Sequence, residues 1–184
     1  MNKANVIIAA VRNDEEFDKA LLSDTSAIFL LYADILELEK CAKKAHDKSK
    51  KLFVHIDLTT GLGKDKSGIE FAKKAGIDGI ISTKASLIKN AKESGLETVQ
   101  RFFIVDSRSI DTTLETLKSA KPDMIEVMPG IAFKAIKMFA DKLDIPVIAG
   151  GLINELDEVN TAVKHGAKSI STGNSDLWIQ NVER

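Results

Sequence analysis

The stretch LFVHIDL (Leu52–Leu58), the stretch Lys66–Ala75 and the run IDGIIS (Ile77–Ser82) follow one another in the middle of the chain. The two short apolar runs are rich in β-branched residues, which is typical of strands buried on both faces of a parallel sheet. The stretch between them has the hydrophobic spacing of an amphipathic helix. Together they predict a strand, a helix and a parallel strand.

The same alternation recurs along the chain, with strand starts roughly 21 to 26 residues apart. The other predicted strands are VIIAAV (Val6–Val11), AIFLLY (Ala27–Tyr32), TVQRFFIV (Thr98–Val105), PDMIEVM (Pro122–Met128), IPVIAG (Ile145–Gly150) and AKSIS (Ala167–Ser171). The other predicted helices are Asp14–Leu22, Ile35–Lys48, Ala85–Glu93, Ser109–Ala120, Ala132–Leu143, Asn154–Lys164 and a short one around Asp176–Val182. Helix N-caps are expected at Asp34, Ser67, Ser109 and Asn154, and C-cap glycines at Gly76, Gly95 and Gly166.

Eight such units in a chain of 184 residues give 23 residues per unit, which matches the strand spacing. The pattern predicts a compact α/β fold, a (β/α)8 TIM barrel, with residues 1–184 as a single domain. The alternative is an open, doubly wound sheet. Such a sheet usually has fewer strands and a glycine-rich turn after the first, whereas Val11–Asp14 contains no glycine.

Composition narrows the function classes. The chain has 26 Lys and Arg against 27 Asp and Glu, a net charge of −1 that disfavours a general polyanion binder. No run approaches the ~18 apolar residues of a membrane span, so we expect a cytoplasmic protein without membrane contact. The single cysteine, Cys41, leaves no partner for an intrachain disulfide.

Polar residues cluster at the carboxyl ends of the predicted strands, where barrels build their sites. His55 and Asp57 alternate with apolar residues on the third strand, so both are expected to point into the barrel. The same reasoning places Arg12, Arg101 and Glu126 inside. These charges form either an internally satisfied ion-pair network or a polar ligand site.

Glycines after the last two strands indicate a phosphate site. Gly150 and Gly151 follow the seventh strand, and Thr172 and Gly173 follow the eighth. Barrels often bind phosphate through backbone amides of these two loops. The alternative is a pair of tight turns without a ligand.

Signals for catalysis and for metal binding are weaker. His55 and Asp57 could form a base and its orienting partner, but the spacing identifies no third member. Asp57, Asp106 and Glu126 could hold a divalent ion, while the histidines lack zinc spacing. We therefore assign no catalytic residue, no metal and no cofactor.

The densest basic stretch lies on the second helix. Lys40, Lys44 and Lys48 recur every fourth residue, with Lys43 beside them. This stripe could contact nucleic-acid phosphates, although such stripes are commonly solvated helix faces.

Several strings make the sequence similar to a known family. They are IIAAVRN (Ile7–Asn13), HIDLTTGLGKDKSGIEF (His55–Phe71), DGIISTK (Asp78–Lys84), LETVQRFFIVDS (Leu96–Ser107), PDMIEVMPG (Pro122–Gly130), IPVIAGGLI (Ile145–Ile153) and ISTGNSDLW (Ile170–Trp178). Through them the chain resembles the glycerol uptake operon antiterminator regulatory family of bacteria. One departure is Ser171-Thr172-Gly173, where the family usually has Ser-Thr-Ser.

The resemblance implies a regulator that senses glycerol 3-phosphate and then binds the leader mRNA of glycerol-utilisation genes. On this interpretation the amides of Gly150, Gly151, Thr172 and Gly173 hold the phosphate. Asp57 and Glu126 accept the glycerol hydroxyls. The remaining ligand residues are Arg12, His55, Lys84 and Arg101, and the RNA-contact candidates are Lys40, Lys43, Lys44 and Lys48.

Two alternatives stay open from the residues themselves. The first is a phosphosugar-type barrel enzyme that uses His55 or Asp57 as a base, since one fold hosts many chemistries. The second is a barrel that has kept the ligand pocket and lost RNA binding. A homo-oligomer is possible, and the loop Thr59–Lys66 is our candidate for the element that moves.

Overall fold

The structure, a computed structural model, describes residues 6–179 and contains a closed barrel of eight parallel strands. In chain order the barrel strands are β1 (Ile7–Val11), β2 (Ala27–Leu30), β4 (Lys51–His55), β6 (Gly79–Ser82), β7 (Glu97–Phe103), β8 (Met124–Met128), β9 (Val147–Gly150) and β10 (Ser169–Thr172). Ala9 in β1 pairs with Ile28 in β2 and with Thr172 in β10, so the sheet closes on itself. The predicted barrel is confirmed, and the open sheet is wrong because such a sheet has two unpaired edges.

Helices follow the strands as the periodicity predicts. They are α1 (Asp14–Leu22), α2 (Leu38–Asp47), α3 (Lys66–Lys74), α4 (Ala85–Glu93), α5 (Ser107–Ala120), α6 (Phe133–Lys142) and α7 (Leu156–Lys164). After β10 the chain forms a 3₁₀ helix, Ser175–Ile179, and the end of the predicted last helix lies outside the described residues. No helix within residues 6–179 is both long and apolar enough to cross a bilayer.

The ends of the helices differ from expectation at their N-termini. The observed N-caps are Glu37, Asp65, Asp106 and Glu155, so the predicted caps Asp34, Ser67, Ser109 and Asn154 are wrong. Asp65 and Asp106 are the caps, in place of Ser67 and Ser109, because their carboxylates accept the amides of the third helical residues, each at 2.9 Å. The C-cap glycines are confirmed, with φ of 87° at Gly76, 81° at Gly95 and 101° at Gly166.

A two-residue ladder delays the start of α2. β3 (Ala33–Asp34) pairs with β5 (Thr59–Thr60), which joins the segments that follow β2 and β4. Asp34 then accepts the Leu36 amide at 2.9 Å and forms a turn, so the helix begins at Leu38 instead of Ile35.

Apolar side chains fill the lower part of the barrel interior. Phe29 and Phe53 are almost fully buried, with ring centroids 5.4 Å apart. Gly79 leaves space for them, since a Cβ there would lie 2.3 Å from the Phe53 ring. His55, Arg101 and Glu126 lie above these rings, nearer the carboxyl ends of the strands. We call this end of the barrel the carboxyl face.

Candidate functional site

A cavity of about 500 Å³ opens at the carboxyl face. Of the predicted ligand residues, those that line it are Arg12, Arg101, Glu126, Gly151, Thr172 and Gly173, and those that do not are His55, Asp57, Lys84 and Gly150. The structure therefore separates the predicted site into a cavity and a second polar cluster. A volume of this size is typical of small-molecule sites.

An ion pair forms the floor of the cavity. Arg101 in β7 lies opposite Glu126 in β8, and its Nε donates to Glu126 Oε2 at 2.6 Å. The side chains are only 6% and 0% exposed. Glu126 Oε1 has no hydrogen-bond partner among the described residues, and the terminal nitrogens of Arg101 make no hydrogen bond to them either. A buried acceptor and unused donors thus meet in a cavity large enough for a ligand.

Gly150 has a different role from the predicted one. A Cβ at this position would lie 2.3 Å from Glu126 Oε1 and 2.9 Å from its Cδ. The absence of a side chain therefore makes room for the Glu126 carboxyl group, which occupies the position that a larger residue would fill.

The two loops predicted to bind phosphate are the segments that follow β9 and β10. Gly151 and Leu152 have positive φ values of 75° and 59°, and for a leucine that is uncommon. Within the described part of the chain, no hydrogen bond reaches the amides of Gly151, Leu152 and Gly173. Unpaired amides in successive turn conformations form concavities that suit anions.

Thr172 holds these two loops together. Its Oγ1 donates to the Ile153 carbonyl at 2.7 Å and accepts the Asn174 amide at 3.1 Å. The Asn174 Nδ2 group donates to the Asn154 carbonyl at 2.7 Å. Asn154 and Asn174 also line the cavity, and they were missed as site residues because no pattern in the sequence separates them from ordinary loop asparagines.

Arg12 lies at the mouth of the cavity, and the expectation that it points into the barrel is wrong. β1 ends at Val11, and Asn13 already caps α1, so strand alternation no longer applies at Arg12. Its side chain is 64% exposed, and its Nη2 lies 2.9 Å from Glu16 Oε1. The guanidinium nevertheless lies over the loop that follows β10. Its Nη2 is so close to Gly173 that a Cβ added there would lie 3.3 Å from it.

His55, Asp57 and Lys84 form the second polar cluster, beside the cavity. β4 ends at His55, and a 3₁₀ helix, Ile56–Leu58, carries Asp57, so the predicted continuation of the strand is wrong. Asp57 Oδ2 accepts the Ser82 hydroxyl at 2.8 Å and the Thr83 amide at 2.9 Å. Asp57 therefore joins the segments after β4 and β6.

His55 is buried and does not pair with Asp57 as a general base pairs with the carboxylate that orients it. Its Nδ1 lies 3.7 Å from Asp57 Oδ2, which is too long for a hydrogen bond. Burial, with help from the positive charge of Arg101, lowers the pKa of His55 to about 4, and Asp57 opposes this only in part. At neutral pH the ring is uncharged.

The α2 lysines are partly neutralised by neighbouring carboxylates. Lys40 Nζ lies 2.7 Å from Glu37, and Lys44 Nζ lies 3.2 Å from Asp18. Lys43 and Lys48 are exposed, without an ion pair among the described residues. The stripe therefore presents less net positive charge than the sequence alone indicates.

Metal binding finds no support in the described part of the chain. Within residues 6–179, no group of three or more His, Cys, Asp or Glu side chains is arranged to hold an ion. The three carboxylates considered from sequence, Asp57, Asp106 and Glu126, form no such group.

Comparison with known proteins places the chain in a family. Residues 7–178 match the family described as "Glycerol-3-phosphate responsive antiterminator". The fold is similar to that of a glycerol uptake operon antiterminator regulatory protein from Listeria monocytogenes, with 35% identity, a TM-score of 0.89, and coverage of 97% of this chain and 96% of that one.

Two further relatives match at similar levels. A glycerol uptake operon antiterminator-related protein from Thermotoga maritima has 35% identity and a TM-score of 0.84, over 95% of this chain and 98% of that one. The uncharacterized protein YgcP of Escherichia coli is 34% identical over 177 residues, 96% of this chain and 93% of YgcP. The chain belongs to the glycerol-3-phosphate responsive antiterminator family.

Proposed function

We propose that the protein binds glycerol 3-phosphate in the cavity and, in that state, acts as an antiterminator on the leader mRNA of glycerol-utilisation genes. The observation that carries the proposal is the chemistry of the cavity. Unpaired backbone amides lie in its loops, and a buried carboxylate oxygen without a partner lies at its floor. Glycerol 3-phosphate has an anionic end and a hydroxyl end that match these two features.

The phosphate would occupy the loops after β9 and β10. The amides of Gly151, Leu152 and Gly173 are available as donors, and the Arg12 guanidinium lies over Gly173. Charge-assisted hydrogen bonds of this kind are about twice as strong as neutral ones. Thr172 would act indirectly, because its hydroxyl already holds the two loops together.

The glycerol hydroxyls would reach the floor of the cavity. Glu126 Oε1 would accept one hydroxyl, and a terminal nitrogen of Arg101 would donate to another. Asp57, which we expected to accept a hydroxyl, lies outside the cavity lining. Its Oδ2 accepts from Ser82 and Thr83, and its Oδ1, although without a hydrogen-bond partner among the described residues, belongs to the second polar cluster. We therefore keep Glu126 and leave Asp57 out of the proposed ligand contacts.

A change of partner at Arg12 would connect ligand binding to the rest of the protein. Glu16 on α1 accepts from both Nη2 and Nε of Arg12. A bound phosphate would compete with Glu16 for the same guanidinium, and only such a difference in contacts can shift a conformational equilibrium. This replaces the loop Thr59–Lys66 as our candidate for the first element to respond.

We propose a regulator rather than an enzyme. A general base must reach the proton that it removes, and neither His55 nor Asp57 lines the cavity. Incubation with glycerol 3-phosphate and with other phosphosugars should leave each unchanged in a sensitive phosphate and product assay. Measurable turnover abolished by His55→Gln would restore the enzyme hypothesis.

The ligand proposal is tested by thermal unfolding with glycerol 3-phosphate, glycerol and inorganic phosphate. At about 100 times Kd, ligand stabilises by about 2.7 kcal/mol, which raises Tm by about 5 to 10 °C in a domain of this size. We expect this shift with glycerol 3-phosphate alone. Arg12→Gln should weaken it, and the matched control Lys84→Gln, outside the cavity, should not. An equal response to phosphate alone would contradict the assignment.

Antitermination requires a separate measurement. A band-shift titration with the leader transcript of the host's glycerol-uptake operon, with and without glycerol 3-phosphate, should show tighter binding with the ligand. A ligand-induced Tm shift without any RNA binding would instead favour the barrel that has kept its pocket and lost its RNA partner.

A further inference from the structure

Charge is unevenly distributed around the carboxyl face. The segments after β4, β6, β7 and β8, which are neighbours in the barrel, carry five exposed cations. They are Lys64, Lys66, Lys84, Arg108 and Lys134, and we call them the basic crescent. The other half of the face carries mainly carboxylates, at Asp14, Glu15, Glu16, Asp34, Glu37, Glu155, Asp157 and Glu158.

The cations of the basic crescent are largely free of ion pairs. Lys64, Lys66, Arg108 and Lys134 form none with any residue in the described range 6–179. Lys84 is only loosely paired, with its Nζ 3.9 Å from Asp57 Oδ1. This contrasts with Lys40 and Lys44 on α2, which both have close carboxylate partners.

Nearby carboxylates offset part of this charge and leave the five cations in excess. Asp65 accepts the Gly68 amide and Asp106 accepts the Ser109 amide, so both face the first turns of their own helices. The N-terminus of α4 has no side-chain cap, nor has that of α6, and Lys84 and Lys134 stand at these ends. The first-turn amides without a hydrogen bond to the described residues, those of Ala85, Ser86 and Lys134, add to the attraction for phosphate groups.

Exposed apolar side chains lie among these cations. Phe103 is 57% exposed and Val105 88% exposed, both at the end of β7, and Ile131 after β8 is 39% exposed. Aromatic and apolar residues interleaved with unpaired cations suit a polyanion whose bases are unstacked, since bases stack on the ring while phosphates meet the cations. A double-stranded polyanion would use the charges and leave the ring unused.

We propose that the basic crescent, together with Phe103, is the RNA-contact surface of this protein, and that it takes a single-stranded or loop segment of the transcript. This inference rests on the proposed antiterminator function and replaces the α2 lysines as the RNA-contact candidates. Phe103 would stack on an unpaired base, and Lys64, Lys66, Arg108 and Lys134 would contact phosphates on either side of it.

The position of the crescent also explains how ligand and RNA could communicate. Phe103 follows Arg101 by two residues on β7 and pairs in register with Met128, which lines the cavity. The same strand therefore carries a cavity-floor residue and the proposed stacking residue. A change at the cavity floor needs to travel only along the end of β7.

The test compares two charge-matched variants. One is Lys64→Gln/Lys66→Gln/Arg108→Gln/Lys134→Gln, and the other is Lys40→Gln/Lys43→Gln/Lys44→Gln/Lys48→Gln. Binding to the fluorescent leader transcript is measured by anisotropy from 50 to 300 mM salt in the presence of glycerol 3-phosphate. Each phosphate contact with single-stranded RNA contributes about 0.7 to the salt slope, or about fivefold at 0.1 M salt.

Because the crescent variant removes four proposed phosphate contacts, we expect its salt slope to fall by about 2.8 and its affinity to fall by about 600-fold at 0.1 M salt. The α2 variant should change less than twofold. Phe103→Ser should cost about fivefold or more, and Phe103→Tyr should restore binding because it keeps the stacking face. All variants alter exposed residues, so an unchanged Tm shift with glycerol 3-phosphate confirms intact folding and ligand binding.

The outcomes separate this inference from the function on which it rests. If wild-type protein binds the transcript and the α2 variant loses affinity while the crescent variant does not, the crescent is overturned and the antiterminator function stands. If wild-type protein responds to glycerol 3-phosphate but binds no transcript, both the crescent and the proposed RNA function fail.

Discussion

The Arg101–Glu126 pair offers a decisive experiment, because an ion pair in the barrel could serve either stability or a ligand. We consider four proteins: the wild type, Arg101→Met, Glu126→Leu and the double variant. Each single change leaves one nearly inaccessible charge without its partner, since the side chains are 6% and 0% exposed. The double change replaces both charges with apolar groups of similar length.

The expected free energies follow from this burial. Breaking a buried pair by removing one partner costs about 3 to 5 kcal/mol, whereas replacing both partners by packed apolar residues is often neutral or stabilising. A domain is stable by only about 5 to 15 kcal/mol, so each single variant should lose a large share of its stability. The double variant should unfold within about 1 kcal/mol of wild type, so the double-mutant cycle should give a coupling energy of at least about 5 kcal/mol.

Urea unfolding followed by the fluorescence of Trp178 measures these values, since this single tryptophan is 1% exposed. The double variant should then be stable and yet give no Tm shift with glycerol 3-phosphate. A double variant that loses as much stability as the two singles combined would refute the reasoning about buried charge. A stable double variant with a full ligand response would show that the pair is not part of the ligand site.

Three further changes test individual features of the site. Gly150→Ala should weaken glycerol 3-phosphate binding at least tenfold in calorimetry, because its Cβ would fall 2.3 Å from Glu126 Oε1; normal affinity would contradict the proposed packing. Gly173→Ser should fold normally, since its Cβ would meet the flexible Arg12 Nη2 at 3.3 Å, and the added hydroxyl should tighten phosphate binding about fivefold. Burial lowers the pKa of His55 to about 4, against about 6.5 in an unfolded chain. Between about pH 6.5 and about pH 4 the unfolded chain therefore binds a proton that the folded protein does not, and the free energy of unfolding falls as the pH drops through this range. The loss between pH 7.5 and pH 5 should be about 2 kcal/mol, and His55→Gln should remove most of it in urea titrations at the two pH values; an equal loss in the variant would assign the effect to other groups.

The repeating pattern was sufficient for the barrel because each strand has its own apolar run and each helix its own stripe. The predicted and observed bounds coincide for α1 and α4. The first residue of a helix was harder to predict, since several residues of the types that cap helices lie close together in the sequence. Asp65 and Ser67 are both good caps, and the choice between them depends on which side chain reaches the Gly68 amide.

The candidate site was predictable only where strand alternation continues to hold. Arg101 and Glu126 lie within β7 and β8, and both are found in the interior as expected. Arg12 and Asp57 lie just beyond the ends of β1 and β4, where a helix cap and a 3₁₀ turn redirect their side chains. The positive φ at Leu152 has no signal in the sequence, because leucine rarely adopts it.

The Thr172 hydroxyl has a consequence for the entropy of ligand recognition. By joining the loops after β9 and β10, it fixes their shape when the protein folds, and Trp178 Nε1 holds the Thr172 carbonyl at 2.9 Å. An anion that enters these loops orders little additional backbone, and such preorganised sites lose less conformational entropy on binding. Loops that are already rigid change their conformation little when a ligand binds, so they cannot transmit binding to the rest of the protein. We propose that the conformational signal starts from a contact that the ligand exchanges, and the Arg12–Glu16 pair at the mouth is our candidate for it.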